Sequence, residues 1–408
     1  MPQTFFPVLL GGDLNCYSMA RGFFAACGVR SQVFGREALG ATRFSRYLSF
    51  TAVPELSDAA VCLRVLLDFA KKTPGSTRML LACTDEYAAF LMRHREELSP
   101  FYTLSAPPET ALVLADKEKF YQTCDRFGIP HPETVTLSGV PARTELDALG
   151  RRLGYPYILK PAESAVYWHY PFAGMEKVYT VNSTTAAEGV LGAVAASGYP
   201  GTMLAQKRVG NSDGDGYVLT LYFDRKGNAK LFACAHALLE EHTPRGRGNY
   251  AALVTAPLPP LCDALVAMLT AFSYRGFANF DLRRDPLNGE WVALEVNLRQ
   301  GRSNGFLFAG GENPAAWLLR DLVRGEACPP RILSRQVLFR TVPFSVIERY
   351  AEREADVRLA ARLHERGAED CPFDDRYDLF LNPCRRFYVT AHRRREKEKF
   401  RTYLTPVR

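Results

Sequence analysis

The sequence has ten cysteines but no C-x-x-C pair, no H-x-x-x-H and no H-E-x-x-H. It therefore lacks the ligand spacing of a zinc site. The cysteines are scattered singly from Cys16 to Cys384, the pattern of buried thiols in a reducing compartment rather than a disulfide framework. No stretch approaches the ~20 apolar residues that span a bilayer. The opening MPQTFFPVLLGGD has no basic n-region, and its apolar run is shorter than a signal-peptide core. These absences lead us to expect a cytoplasmic protein. There is no G-x-x-x-x-G-K-[ST], so a nucleotide site here is not a P-loop. Internal repeats and low-complexity tracts are also missing.

Excess charge is missing from most of the chain. The net charge is +7, and residues 381–408 hold nine Arg or Lys against two acids, which accounts for all of it. A near-neutral body does not suit a nucleic-acid binder. The basic tail reads either as a solvated helix face or as a weak contact for an anionic surface or partner.

What is present is a globular composition, with 47% hydrophobic and 23% charged residues over 408 positions. That length suggests two to three structural units at roughly 150 residues each. Phe5–Leu10 is a short apolar run closed by Gly11 and Gly12, a helical pattern follows, and further strand patterns cover residues 31–34 and 79–83. Strand, helix and strand with short connections predict a parallel α/β unit over residues 1–115. A helix is expected from Asp116 to Gly128, where Ile129-Pro130-His131-Pro132 stops it. Further strands are expected at 155–159, 203–209, 217–223, 277–283 and 291–299.

The last two strands carry the chemistry. Strand side chains alternate between faces. On that rule Asn279, Asp281 and Arg283 share one face, and Ala293, Glu295, Asn297 and Arg299 share the matching one. Val292, Leu294, Val296 and Leu298 fall on the other. Two carboxylates and an amide oxygen make a hard-oxygen set suited to Mg²⁺ that also holds substrate phosphates. Neighbouring arginines suit forked binding of phosphate or carboxylate. A solvated, charge-paired sheet face would show the same alternation. Upstream, Lys160 closes an apolar strand before Pro161, and Lys117 opens a helix.

The ordered set resembles the ATP-grasp superfamily. It comprises Asp116-Lys117 with a downstream G-I-P-x-P, then Y-P-Y-I-L-K-P, a strand–loop–strand hinge MLAQKRVG…YVLTLYFDRKG, and G-F-A-N-F-D-L-R…W-V-A-L-E-V-N-L-R. The resemblance spans roughly residues 1–325. It implies an α/β fold with an N-terminal parallel domain (1–115), a lid or small lobe (116–200), a large lobe whose antiparallel sheet carries the metal site (201–325), and a C-terminal extension with the basic tail (326–408). It implies ATP with Mg²⁺ or Mn²⁺ as cofactors. Lys117 and Lys160 correspond to phosphate contacts, with Lys177 a further cation in the phosphate loop. Gln206, Lys207 and Val209 correspond to adenine contacts, and Asp213 to the acid on the ribose. Asp281, Glu295 and Asn297 correspond to metal ligands, with Arg299 and Arg302 as the catalytic arginines. The sequence departs from the pattern in the phosphate loop, SAVYWHYPFAGMEKVY, which holds one glycine, Gly174.

The superfamily implies activation of a carboxylate as an acyl phosphate and its capture by an amine. A longer likeness, F-x-P-V-L-L-G-G-D-L-N-C-Y-S-M-A-R, A-T-R-F-S-R-Y and G-M-E-K-V-Y, resembles bacterial D-aspartate ligases. These join the β-carboxylate of D-aspartate to the lysine amine of a peptidoglycan precursor stem. On that likeness Gly11, Gly12, Asp13, Asn15 and Arg21 line the donor or acceptor side. Arg245 and Arg247, with residues 299–304, are candidates for the acceptor carboxylate and phosphate contacts, and Arg245 and Arg247 read equally as solvated loop residues. A ligase joining two amino acids, or a regulatory ATP-binding protein with a degenerate site, remain as alternatives. Three motifs are set aside. Gly246–Ala251 fits G-x-G-x-x-A but follows no apolar strand. Asn211–Gly216 resembles the start of a calcium loop, but position twelve is Tyr222. Asn182-Ser183-Thr184 is a glycosylation sequon that matters only on secretion.

Overall fold

The computed structural model describes residues 5–244 and 246–407. Its first sheet is parallel, in the order β3-β2-β1-β4-β5, from β1 (Phe5–Leu10), β2 (Ser31–Gly35), β3 (Leu48–Ala52), β4 (Thr77–Ala82) and β5 (Thr103–Ser105). Val8, Leu9 and Leu10 are all fully buried. A central parallel strand is covered on both faces, so it reads as an unbroken apolar run. Gly12 follows because a Cβ there would lie 2.3 Å from the Glu37 carbonyl oxygen.

The Lys117–Arg126 helix starts where Asp116 Oδ1 accepts the amides of Glu118 and Lys119 at 3.0 and 3.1 Å, an N-cap worth roughly 1 kcal/mol. Its buried face is Phe120, Tyr121 and Cys124. The next sheet is antiparallel, in the order β6-β9-β7-β8, from β6 (Thr134–Leu137), β7 (Tyr157–Pro161), β8 (Tyr179–Val181) and β9 (Met203–Lys207). Two helices, Arg143–Leu153 and Thr184–Ala196, supply Leu146, Leu149, Ala187 and Leu191 to its core.

The third sheet runs β14-β13-β10-β11-β12-β16-β17, with β15 paired to β11. Its strands are β10 (Gly216–Phe223), β11 (Ala229–Glu240), β12 (Tyr250–Ala256), β13 (Gly276–Arg284), β14 (Trp291–Asn297), β15 (Arg331–Ile332), β16 (Leu338–Arg340) and β17 (Glu369–Asp370). Two expected boundaries move. The hinge strands belong to different sheets: β9 sits between β6 and β7, beyond residue 200, while β10 lies inside the large sheet. Residues after 325 do not form a separate extension, because β15, β16 and β17 complete the large sheet.

The C-terminal segment is locked down by charge. Arg340 donates to both oxygens of Glu369, at 3.0 and 2.8 Å, and to Asp374 at 2.7 Å. Arg385 is nearly fully buried. It donates to the carbonyls of Ala41 and Arg43 at 2.6 and 2.8 Å and lies 3.1 Å from Asp378. The A-T-R-F-S-R-Y stretch thus anchors the C-terminal segment. None of the ten cysteines is paired, and eight are buried.

Removing one partner of a buried, fully bonded charge set leaves the others desolvated and unpaired. We therefore expect Arg340→Met to lower unfolding stability by about 3–5 kcal/mol, read from the urea midpoint at constant slope. A change below about 1 kcal/mol would show that the Arg340 cluster behaves like a surface pair.

Candidate active site

Strands β13 and β14 pair with Asn279 opposite Asn297 and Asp281 opposite Glu295. The expected carboxylate pair is therefore a directly facing pair. On β13 the alternation holds: Ala278, Phe280 and Leu282 enter the core, while Asn279, Asp281 and Arg283 take the other face. On β14 it fails in one place. The register shifts after Asp281, so that Leu282 faces Ala293. Ala293 then packs in the core with Val296 and Leu298, and Leu294 lines the same cavity as Glu295. A bulge inserts one residue and turns the preceding side chains over.

Around the carboxylates stand three lysines from three elements. Lys117 Nζ lies 3.3 Å from Glu295 Oε2. Lys160, from β7, donates to Gln206 Oε1 at 3.0 Å. Lys177 lines the same cavities as Asp281 and Glu295. Lys117, with Lys177 and Lys160 behind it, holds the Glu295 carboxyl below its ordinary range. Burial, and then the Glu295 charge, pushes Asp281 the other way. Two half-buried carboxylates facing each other cannot both ionise comfortably, and a divalent cation neutralises such a pair. Asn297 donates to Asp281 Oδ2 at 3.2 Å, and its Oδ1 faces Arg299 at 3.3 Å. The set Asp281, Glu295 and Asn297 fits Mg²⁺ by its hard-oxygen chemistry.

Two cavities meet at this point. One, of about 250 Å³, is lined by Ile158, Leu294, Val209, Lys207, Asp213 and Arg283 among others. The second, of about 770 Å³, extends to Asp85, Met92, Trp168, Arg299 and Arg302. Lys117, Lys177, Asp281 and Glu295 line both. The smaller cavity has apolar walls for a flat ring and polar groups at its rim. Asp213 is held there, accepting the Glu240 amide at 2.9 Å and facing His242 Nε2 at 2.9 Å.

Several expected residues sit differently. The Gln206 amide is turned inward, donating to Tyr121 Oη and Thr134 Oγ1 at 2.8 Å each. It fixes Lys160 rather than facing a base. Arg283 does not stand beside the carboxylates: it donates to Val209 O at 2.9 Å and pairs with Glu240 at 3.2 Å. Arg21 is turned from the substrate side, in a two-pronged pair with Asp370 at 2.7 Å. Asn15 spends its amide on Cys83 O and Gln300 O, at 2.9 and 3.0 Å. It thereby anchors the segment between the two arginines. Asp13 caps the first helix through the amides of Asn15 and Cys16. Its carboxyl is raised by burial against the pull of Arg302. Arg299 reaches Asp85 at 2.8 Å and Arg302 reaches Glu241 at 3.1 Å. Arg247 lines the smaller cavity; Arg245 lies outside the described residues.

The segment expected to cover the phosphates is held by aromatic ties. Tyr167 Oη and Tyr179 Oη are 2.7 Å apart, and Tyr179 Oη accepts the Glu176 amide at 2.8 Å. Tyr167 also packs edge-on against Tyr199. The residues missed from sequence are Tyr121, Asp85, Glu240, Glu241, His242 and Tyr250. Asp85, Glu240, His242 and Tyr250 line the cavities, while Tyr121 and Glu241 hold Gln206 and Arg302. Two of the three motifs set aside form local turns. Gly246–Asn249 is a turn leading into β12, and Asp215 Oδ2 accepts the amides of Asn211 and Ser212 at 2.9 Å.

Burial, and then Lys117, pushes the Lys160 ammonium down to about 7. At pH 8 it is mostly neutral in the free protein. A polyphosphate beside it favours the charged form. Nucleotide binding at pH 8 without divalent cations should therefore take up close to one proton, read from binding heats in buffers of different ionisation enthalpy, and Lys160→Met should abolish the uptake. The linkage sign is fixed too. The folded value lies below the ordinary 10.5, so the unfolded chain binds more protons between the two, and this group adds stability as pH rises through that window. Buffer-independent binding heats would remove Lys160 from the phosphate site.

No protein-family model matches the chain. It is 29% identical over 375 residues to D-aspartate ligase of Enterococcus faecium (strain Aus0004), with 88% of each chain covered. Among solved structures it is similar to L-amino acid ligase from Bacillus licheniformis, with TM-score 0.57, 15% identity and 79% and 75% of the two chains covered. N5-carboxyaminoimidazole synthetase from Staphylococcus aureus gives TM-score 0.57 and 14% identity, covering 82% of each. The biotin carboxylase domain of 2-oxoglutarate carboxylase from Hydrogenobacter thermophilus, a complex with ADP magnesium salt, gives 0.58 and 16%, covering 81% and 72%. The chain shares the fold of these enzymes and is similar to D-aspartate ligase along most of its length.

Proposed function

We propose that the chain activates a carboxylate with ATP and joins it to an amine, and that the pair is D-aspartate and the lysine side chain of a peptidoglycan precursor stem. The observation that carries the reaction class is the meeting of two cavities at Asp281 and Glu295. A nucleotide in the smaller one directs its terminal phosphate to the junction, and the larger one delivers the acceptor. The likeness to D-aspartate ligase supports the choice of substrates.

In the first step a substrate carboxylate oxygen attacks the γ-phosphorus. The bond to the β–γ bridging oxygen breaks and ADP carries away its electron pair. Lys117, Lys160 and Lys177 offset charge as the phosphoryl group moves. A divalent cation, held by Asp281, Glu295 and Asn297, would neutralise the phosphates further. In the second step the neutral amine attacks the acyl carbon, a tetrahedral oxyanion forms, and the acyl–oxygen bond breaks as the amide forms, phosphate leaving with the electron pair and taking up the proton the nitrogen loses. Arg299 and Arg302 face the larger cavity and donate to the carboxylate and the oxyanion. No side-chain nucleophile takes part. Gathering all five of Lys117, Lys160, Asp281, Glu295 and Asn297 at one junction supports a working site over a degenerate one. A cytoplasmic setting is supported by ten unpaired cysteines; no helix among the described residues is long and apolar enough to cross a membrane.

Purified chain with ATP, Mg²⁺, D-aspartate and a lysine-containing stem peptide should release phosphate in step with amide formation. Glu295→Gln should abolish release. Arg299→Met should lower kcat about 10²–10³-fold, the loss of one oxyanion donor or ~2.7–4 kcal/mol. Turnover with two free amino acids but not with the peptide would replace the acceptor. Undiminished turnover in Glu295→Gln would overturn the metal assignment.

A further inference from the structure

Among the described residues three non-glycine positions have left-handed backbone: Phe44 (φ 58°), Ser273 (φ 51°) and Leu381 (φ 49°). Bulky side chains rarely adopt this region, and holding one there stores strain of order 1–3 kcal/mol. Two of the three are large apolar residues that burial does not reward, since Phe44 is 56% and Leu381 81% exposed. They lie side by side. Asn382, next to Leu381, donates to the Phe44 carbonyl at 2.8 Å, and the Phe44 ring is 6.4 Å from that of Tyr388. Phe380 and Phe387, flanking them in sequence, are 65% and 79% exposed. Four large apolar side chains thus project from one small region, two of them from conformations that cost energy.

The charge around them has one sign. Pro383–Tyr403 is a helix whose buried residues are Arg385, Val389, Glu396 and Phe400. At 100° per residue the opposite face carries Phe387, Arg394, Glu398 and Arg401, with Lys397 and Arg386 on one flank between it and the buried face. Glu398 is taken up by Arg401 at 2.8 Å. Arg386, Arg394 and Lys397 are exposed and form no ion pair among the described residues. The acids at the base of the patch are all engaged. Asp374 pairs with Arg340 and Arg393, Asp375 accepts from Tyr47 at 2.7 Å, and Asp378 accepts the Arg46 amide at 2.7 Å.

We infer that this surface is a peripheral membrane contact. Phe44, Phe380, Leu381 and Phe387 enter the interface of an anionic bilayer, and Arg386, Arg394 and Lys397 lie over its lipid phosphates. Apolar prongs flanked by unpaired cations fit a surface that is negative outside and apolar beneath. A second copy fits poorly, because the cations would meet their own copies with no acid between them.

The test is sedimentation of the full chain with vesicles of phosphatidylglycerol and phosphatidylcholine, and of phosphatidylcholine alone, at low and high salt. Binding should require the anionic lipid and fall at high salt. Replacing Arg386, Arg394 and Lys397 together by Gln should weaken it roughly a hundredfold, at about fivefold per cation. Phe380→Ser with Phe387→Ser should weaken it at unchanged thermal midpoint. Leu381→Gly should weaken it while raising the thermal midpoint, because glycine relieves the left-handed strain. A purely structural Leu381 would not give that opposite pair of shifts. Absence of binding to anionic vesicles, full binding by the apolar variants, or a dimer in solution that the same substitutions dissolve would each overturn the inference.

Discussion

Two half-buried carboxylates face each other across β13 and β14, too close for both to carry charge readily unaided. Everything around the site answers that constraint. Lys117 arrives from the helix between the first two sheets, Lys160 from β7 and Lys177 from the loop before β8. Each comes from a different segment, so the small sheet and the large sheet must sit together for the carboxylates to be compensated. A polyphosphate brings more negative charge to the lysines, and a divalent cation relieves the carboxylates. In the proposed reaction nucleotide and metal bind as complements of charges already in place.

Much of what surrounds this centre positions rather than reacts. Gln206 holds Lys160, Asn15 holds the Gln300 carbonyl, and Asp85 holds Arg299. The phosphate loop is tied by Tyr167, Tyr179 and Tyr199 where the superfamily pattern has glycine. Aromatic packing can set a loop's shape as firmly as backbone freedom lets it adapt. The C-terminal residues, by completing the large sheet and clasping the first domain through Arg385, tie the two ends of the chain to one body.

The legibility of the sequence follows the range of the interactions. β1 was readable to the residue because its apolar run is closed by Gly11 and Gly12. The Lys117–Arg126 helix was readable because its cap and its proline stop are local. Strands β11 and β12 were not read. AKLFACAHALLE is apolar but for Lys230, His236 and Glu240, and a mostly buried run shows little period to distinguish strand from helix. The β14 bulge was invisible for a related reason, since alternation carries no sign of where the partner strand omits a residue. It sent Leu294, expected in the core, to the cavity wall.

The sequence by itself determined which chemistry is available: the lysines, the two acids, the asparagine and the arginines, in an order that resembles one superfamily. It determined also where charge accumulates, in the last helix. Only the tertiary structure decided that Gln206 faces inward, that Arg21 and Arg283 serve other partners, and that Asp85 and Tyr121 reach the site. The physical reason is that donors and acceptors choose partners by distance, and those partners lie up to hundreds of residues away along the chain. Composition and spacing constrain what a side chain can do, whereas the packing of the three sheets selects which of those interactions each one makes.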